Sequence, residues 1–266
     1  LNEPNGGSDV AGMQSTAVLD GNEWVINGEK CFITLAGEAR WNFVFAKTDP
    51  PAVHKGISCF LVETGTPGFD PSHQEEKMAF KALPNRTIKM TNVRVPKESL
   101  VGQLNHGFYD VMTILDFERM GAGAGSLGMA ETAMAAAVDW AKQRVVFGQP
   151  IANFEGIQFL IADMARDIEL TRSLLYRCCW MEDHGIRYSK EASVLKIFAS
   201  ESNTRIVGDA VQIYGGLGIC KSSPVERPYR EAKLMEIGGG TNQIQRTVLA
   251  REVIGTGSAS KPKVKA

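Results

Sequence analysis

Two hydrophobic periods divide the chain. Up to about residue 103, apolar and polar residues alternate in short runs, over 15–19, 23–26, 30–34, 41–46, 57–63 and 87–93. A period of two puts alternate side chains on opposite faces of a strand. Asp20-Gly21 and Asn27-Gly28 separate the first three runs. Both dipeptides tolerate positive φ, so each predicts a tight hairpin turn. Pro67-Gly68 and Val95-Pro96 punctuate the later loops. From Gly107 the period changes to that of a helix. Ile157, Ile161, Met164, Ile168 and Leu175 share one face, and Val194, Ile197, Val207, Val211 and Tyr214 another. A further helix is expected over 234–253, and a first one over about 108–144. The first carries Gly121, Gly123, Gly125 and Gly128. Glycine destabilises a helix interior by ~1 kcal/mol relative to alanine, so four of them imply close approach by another helix or a ligand.

The fold class is therefore α+β. A sheet domain over residues 1–103 precedes a four-helix bundle over 104–254, and 255–266 forms a small, polar, basic tail. Composition narrows the function. Of 266 residues, 44% are apolar, enough for a sizeable core, and the net charge of -1 argues against a nucleic-acid partner. No apolar run approaches the ~20 residues of a membrane-spanning helix. The chain opens without Met, inside a motif-like segment, so an upstream region and exposed apolar surface facing it are expected. Five cysteines, Cys31, Cys59, Cys178, Cys179 and Cys220, have no metal-ligand spacing and are expected to be reduced packing residues; no metal is expected. The four histidines share no spacing and are assigned no role.

Five segments carry chemistry. Leu1-Asn2-Glu3-Pro4-Asn5-Gly6-Gly7-Ser8-Asp9 is a glycine-rich loop that lets a ligand approach the backbone. Gly28-Glu29-Lys30-Cys31-Phe32-Ile33-Thr34 reads as a strand with an aromatic and a hydroxyl near its end. Arg144-Val145-Val146-Phe147-Gly148-Gln149-Pro150-Ile151 offers a guanidinium suited to phosphate, and equally a helix C-terminus ended by Gly148. Gln212-Ile213-Tyr214-Gly215-Gly216-Leu217-Gly218 and Gly240-Thr241-Asn242-Gln243-Ile244-Gln245-Arg246 place glycines at helix ends, where backbone N–H groups suit a diphosphate. Neither is a dinucleotide fingerprint following a strand in a βαβ unit.

In this order and spacing the segments resemble the acyl-CoA dehydrogenase signatures TEP-x-AGSD, G-x-K-x-W-I-T, R-x-x-F-G-x-x-I, Q-x-x-G-G-x-G and G-T-x-x-x-x-R. Asn2 replaces a Thr, Phe32 a Trp, and Leu83-Pro84-Asn85 the usual S-x-T. The resemblance implies a β-barrel-like middle domain and a helical C-terminal domain, without the family's N-terminal helical domain. It implies FAD, held by Asn2, Ser8, Phe32, Thr34, Arg144, Phe147, Gln212, Gly215, Gly216, Thr241 and Gln243. It implies an acyl-CoA substrate touched by Ser8, Asp116, Arg119 and Gly240.

The implied reaction removes an α-proton and a β-hydride, giving the trans-2-enoyl-CoA. Flavin N5 takes the hydride, a base takes the proton, and the Gly239 N–H donates to the thioester oxygen. Many members carry the base as a Glu just before G-T, but here Gly238-Gly239 precede Gly240-Thr241. Leu115-Asp116-Phe117-Glu118-Arg119 resembles L-D-L-E-R of the isovaleryl-CoA dehydrogenase subgroup, so Glu118 is the expected base. Taken as residues alone, Glu118 is equally a solvated helix carboxylate. Also implied are an electron-transferring flavoprotein as acceptor, a homotetramer or dimer sharing cofactor sites, and residence in a bacterial or archaeal cytoplasm or a mitochondrial matrix. Two other functions fit the same scaffold: a flavin oxidase or monooxygenase, told apart by reoxidation in air, and a non-catalytic assembly protein, told apart by failure to bleach with acyl-CoA.

Overall fold

The computed structural model describes residues 1–255, so the expected tail lies, apart from Gly255, outside the described residues. The chain divides into two compact units, Leu1–Ile114 and Leu115–Ala266, with the boundary inside a helix. Each is taken by itself.

The first unit is built on seven strands: β1 (Thr16–Asp20), β2 (Glu23–Thr34), β3 (Trp41–Lys47), β4 (Ile57–Glu63), β5 (Phe69–Gln74), β6 (Asn85–Pro96) and β7 (Leu100–Val101). They lie in the order β5-β6-β2-β1-β3-β4-β7, so β5 and β7 end the sheet. All neighbours are antiparallel except β1 and β3. Alternation places Trp24, Ile26, Val44, Phe60, Val62, Ile88, Val93 and Val95 in one core. Trp24 and Phe60 meet there with ring centroids 5.2 Å apart. Val18, Phe32, Trp41 and Phe43 remain exposed.

Gly21, next to Asp20, turns β1 into β2 as expected, with φ 63°. Asn27-Gly28 does not turn the chain. β2 runs straight through it, and the register with β6 shifts between Ile26 and Gly28. The extra residue lies on β6, since Ile26 pairs with Val93 and Gly28 with Met90, so the dipeptide stands opposite a β-bulge. Gly28 has φ 142°, and a Cβ there would fall 2.3 Å from Ser15 Oγ, so the glycine serves a close approach of β1. β5 was not foreseen. Its Asp70, Pro71 and Ser72 read as loop residues, and Pro71 is tolerated because β5 is an edge strand.

The second unit is helical: α1 (Gly107–Gln143, which begins in the first unit), α2 (Glu155–Asp183), α3 (Ser189–Tyr214), α4 (Glu226–Ile237) and α5 (Asn242–Ile254). A small ribbon, β8 (Val145–Val146) and β9 (Gln149–Pro150), joins α1 to α2. The last expected helix is in fact two. Gly239 and Gly240 take φ 63° and 88°, which no helix allows, and Thr241 then caps α5 by accepting from Ile244 N at 3.2 Å. That gives five α-helices among the described residues in place of the expected four. Ala130, Ala133, Ala137 and Ala141 form a buried stripe on α1. Of its glycines, Gly123 and Gly125 admit neighbouring helices: Leu195 and Met235 come within 2.8 and 3.3 Å of where a Cβ would be. Gly121 and Gly128 face open space.

Candidate functional site

In the β unit, the opening loop is fastened from beneath. Glu3 is 4% exposed and turns into the sheet. Its carboxylate accepts from Gln14 N (2.5 Å), Ser15 N (3.1 Å), Ser15 Oγ (2.6 Å) and Lys30 Nζ (2.7 Å). Burial alone would raise the Glu3 pKa. The bonds from Gln14, Lys30 and Ser15 outweigh it and hold the carboxyl below its ordinary value. Cys31 N donates to the Asn2 carbonyl at 2.9 Å, so the loop lies against β2 just before Phe32. Ser8 is exposed. Sequence reasoning gave Glu3 and Lys30 no role. Their signal was a carboxylate in one motif and a lysine in the next.

A second register shift, between Lys30 and Ile33, breaks β2 at Phe32. Phe32 takes φ 58° and stands 60% exposed, because a bulge re-aims the side chain it contains. Two residues on, Thr34 Oγ1 accepts from Asn85 Nδ2 at 2.9 Å, and Asn85 Nδ2 also reaches the Phe32 carbonyl at 2.9 Å. Lys77 Nζ in turn holds Asn85 Oδ1. Thr34 thus accepts from the protein and keeps its own proton to donate. The Lys77–Asn85–Thr34 chain runs through the very position where the sequence departs from S-x-T.

In the helical unit, Glu118 is exposed on α1, and its carboxylate has no hydrogen bond or ion pair among the described residues. Asp116 and Arg119 turn to each other at 2.5 Å, and Ser189 Oγ donates to the other Asp116 oxygen at 2.5 Å. Arg119 is buried, its Nε lacks a partner, and burial lowers its pKa. α1 ends at Gln143, so Gly148 does not cap it. Phe147 and Gly148, with φ 51° and 81°, make the two-residue turn of the β8–β9 ribbon. Phe147 is 94% exposed at its tip, and the exposed Arg144 side chain has no ion-pair partner among the described residues. Gln212, Gly215 and Gly216 are exposed where α3 ends, and Tyr214 between them stacks on Trp140 at 5.0 Å.

Gly238–Thr241 connects α4 to α5. The backbone N–H groups of Gly239, Gly240 and Thr241 have no partner among the described residues. Gln243 is exposed in the first turn of α5. Beneath the connection lie Gln245, Asn242, Ser193, Ser200 and Lys196, all buried. Lys196 Nζ donates to Asn242 Oδ1 at 2.8 Å, and burial, with Arg119 nearby, pushes its pKa down to about 8.

Each unit by itself offers groups suited to part of a flavin dinucleotide: the β unit a hydroxyl with a free proton beside an outward aromatic, the helical unit a guanidinium for phosphate and glycine ends open to a ligand.

Comparison with known proteins gives a consistent result. The domain description "Acyl-CoA dehydrogenase, middle domain" matches residues 1–93, and "Acyl-CoA dehydrogenase, C-terminal domain" matches 105–254. A probable acyl-CoA dehydrogenase of Bacillus subtilis is 44% identical over 255 residues, 96% of this chain and 67% of that protein. The human mitochondrial short-chain specific acyl-CoA dehydrogenase is 40% identical over 96% of this chain and 62% of its own length. The structure of butyryl-CoA dehydrogenase from Megasphaera elsdenii superposes with a TM-score of 0.94 at 38% identity, over 96% of this chain and 67% of that one. The chain thus spans about two thirds of the length of these relatives. No described helix is long and apolar enough to cross a membrane. The chain belongs to the FAD-dependent acyl-CoA dehydrogenase family, of which it carries the middle and C-terminal domains.

Proposed function

We propose that this chain serves the α,β-dehydrogenation of an acyl-CoA thioester to the trans-2-enoyl-CoA, with Glu118 as the base. The observation that carries the assignment is the pairing of a bare Gly238-Gly239 before Gly240-Thr241 with an unpaired, exposed Glu118 in the same helical unit. Bound FAD supplies the hydride acceptor. The protein does the rest. Glu118 takes the α-proton, and the unpaired Gly239 N–H donates to the thioester oxygen as negative charge develops there. Asp116 and Arg119, locked to each other and through Asp116 to Ser189, brace α1 two residues before and one residue after Glu118 and are assigned to hold the acyl-CoA, with Ser8 and Gly240 as further substrate contacts. Thr34 donates its proton to the flavin ring, and Phe32 and Phe147 present aromatic surface. Arg144 takes a phosphate, with Asn2, Ser8, Gln212, Gly215, Gly216, Thr241 and Gln243 lining the remainder.

A base carried on α1 is the arrangement of the isovaleryl-CoA dehydrogenase subgroup, while the human relative above is a short-chain specific enzyme and the Megasphaera one a butyryl-CoA dehydrogenase. Missing side chains at Gly238 and Gly239 leave room for a branch or ring near Cα–Cβ. The electron acceptor is an electron-transferring flavoprotein, and the assembly is a homotetramer or dimer in which Arg144 and the 212–218 segment reach a neighbour's FAD.

Anaerobic stopped-flow flavin bleaching tests the base. Glu118→Gln should retain FAD and bind substrate, yet slow reduction by about 100- to 10,000-fold. Adding Gly239→Glu should restore part of the rate. A Cβ at 239 meets nothing within 4 Å, although φ 63° makes the substitution uncomfortable. A Glu118→Gln enzyme within a few-fold of the parent would overturn the assignment. Comparing straight, branched and cyclic acyl-CoAs in the same assay tests the pocket, since a methylene discriminates by about 1–3 kcal/mol. A preference for straight chains over all others would remove the branched-substrate reading.

A further inference from the structure

Gln245 is wholly buried, and its side-chain amide is used on both sides. Oε1 accepts from Ser193 Oγ at 3.2 Å, while Nε2 donates to the carbonyls of Gly239 and Gly240, each at 3.3 Å. Ser193 is itself fully buried on α3, and its single proton is shared between Gln245 Oε1 and the Ser189 carbonyl, 3.0 Å away. One amide therefore ties the α4–α5 connection to the central helix. The fit is tight on the loop side as well. A Cβ on residue 240 would stand 2.8 Å from Gln245 Nε2, so the amide lies directly against the loop backbone at Gly240.

The grip has a directional consequence. A trans peptide carries its C=O and N–H on opposite sides, and the described chain has no cis peptide. Drawing the Gly239 carbonyl inward turns the Gly240 N–H outward, and drawing in the Gly240 carbonyl does the same to the Thr241 N–H. Gly239, with φ 63°, begins this run, and none of the three N–H groups is spent on the protein. Three consecutive unspent donors make a concave seat for a negatively charged oxygen.

We propose that Gln245, anchored by Ser193, is the positioning residue of the thioester site: by holding the Gly239 and Gly240 carbonyls inside the bundle, it fixes the Gly240 and Thr241 N–H groups outward and anchors the loop on which the Gly239 N–H receives the substrate oxygen. The identity of that oxygen rests on the dehydrogenase reading; the loop geometry does not. Gln245 itself touches no substrate. It acts by removing the loop's freedom, so the donors need no reorganisation as charge develops.

The test uses the flavin-loaded full-length enzyme and Gln245→Met, which keeps volume and removes the amide. The probe is a carbonyl-13C acyl-CoA analogue that cannot be oxidised, read by infrared difference spectroscopy. In the parent the bound carbonyl stretch should lie below that of the free thioester. In Gln245→Met it should move back towards the free value, with kcat lowered about 10- to 100-fold and KM changed far less. An unchanged stretch and kcat overturn the proposal. If the Met variant fails to fold, Ser193→Ala replaces it, and a loss of about threefold with a smaller return of the stretch is expected; no change overturns it. Should the parent reduce no flavin with any acyl-CoA, the dehydrogenase reading fails separately. The carbonyl 13C resonances of Gly239 and Gly240 without ligand then decide: an upfield move in Gln245→Met supports the grip, and unmoved resonances refute it.

Discussion

Each unit buries a lysine beneath the segment it offers to ligand, and the two lysines are partnered differently. Lys30, under the opening loop of the β unit, meets the Glu3 carboxylate at 2.7 Å. Lys196, under the Gly238–Thr241 connection of the helical unit, meets only the amide oxygen of Asn242 at 2.8 Å. A carboxylate that also accepts from Gln14 and Ser15 makes the first site an internally neutral bolt. The second site has no carboxylate in bonding distance; Glu236 and Glu201 favour the cation from further away, and Arg119 opposes it. A buried ion needs compensation or its protonation shifts. Burial lowers both lysines, but the β unit answers with a full carboxylate in direct contact, while the helical unit offers Lys196 a neutral amide oxygen and more distant carboxylates.

Breaking the bolt should have the largest effect on stability. Lys30→Met strands the Glu3 carboxylate inside the sheet, and loss of one partner of a buried pair costs about 3–5 kcal/mol. Chemical denaturation of the β unit's transition checks it, and adding Glu3→Gln should recover part of the loss. The pair also sets an acid limit. The Glu3 carboxyl is held below its ordinary value of 4.5, so its stabilisation is complete above that pH and is lost as pH falls through the lower folded value. Glu3→Gln should flatten this part of the acid-unfolding curve. A curve identical to the parent's would mean that Glu3 is not charged in the fold.

Lys196→Met should act in the opposite direction. The folded state lowers this lysine from 10.5 to about 8, so the unfolded chain holds the proton more tightly between those values. The lysine therefore costs stability below pH 8, and the cost fades as pH rises to 10.5. The gain from removing it is offset by about 1 kcal/mol for the lost bond to Asn242. A net gain in stability at pH 7, vanishing near pH 10, is the expected outcome in pH-resolved thermal unfolding. Destabilisation at pH 7 would erase the contrast between the two lysines.

The smallest effect belongs to Asn85→Ala, which frees Thr34 and Phe32 without touching either lysine. Its bonds lie at an exposed strand end, so stability should fall by less than about 1 kcal/mol. The retained flavin should nevertheless show a shifted absorption band, because the Thr34 hydroxyl is no longer oriented. An unaltered spectrum would remove Asn85 from the site.

Legibility followed the range of the interactions. The strand runs at 41–46 and 57–63 were readable because one buried face imposes alternation on the residues themselves. Asn27-Gly28 misled because a glycine's positive φ serves a hairpin turn or an irregular step within a strand that faces a bulge. The choice was made by Ser15, which lies on the neighbouring segment. The run at 234–253 kept a helical pattern of apolar residues across three glycines, and their backbone angles alone divided it. Thr34 could be picked out by its motif, but its partners Asn85 and Lys77 could not, since they arrive from β6 and the loop before it.

By itself, then, the sequence determined the α+β order of the chain, the family, and the residue types offered to cofactor and substrate. Those follow from local periodicity and from motifs read within a few residues. Only the tertiary structure decided that Glu3 points inward rather than at a ligand, and that Phe32 and Phe147 sit at strained, outward positions. It alone decided that Gln245 faces the carbonyls of Gly239 and Gly240. The physical reason is the same in each case. A buried polar group must find its partner wherever the chain brings one, and Glu3 finds Lys30 across 27 positions while Gln245 finds Ser193 across 52.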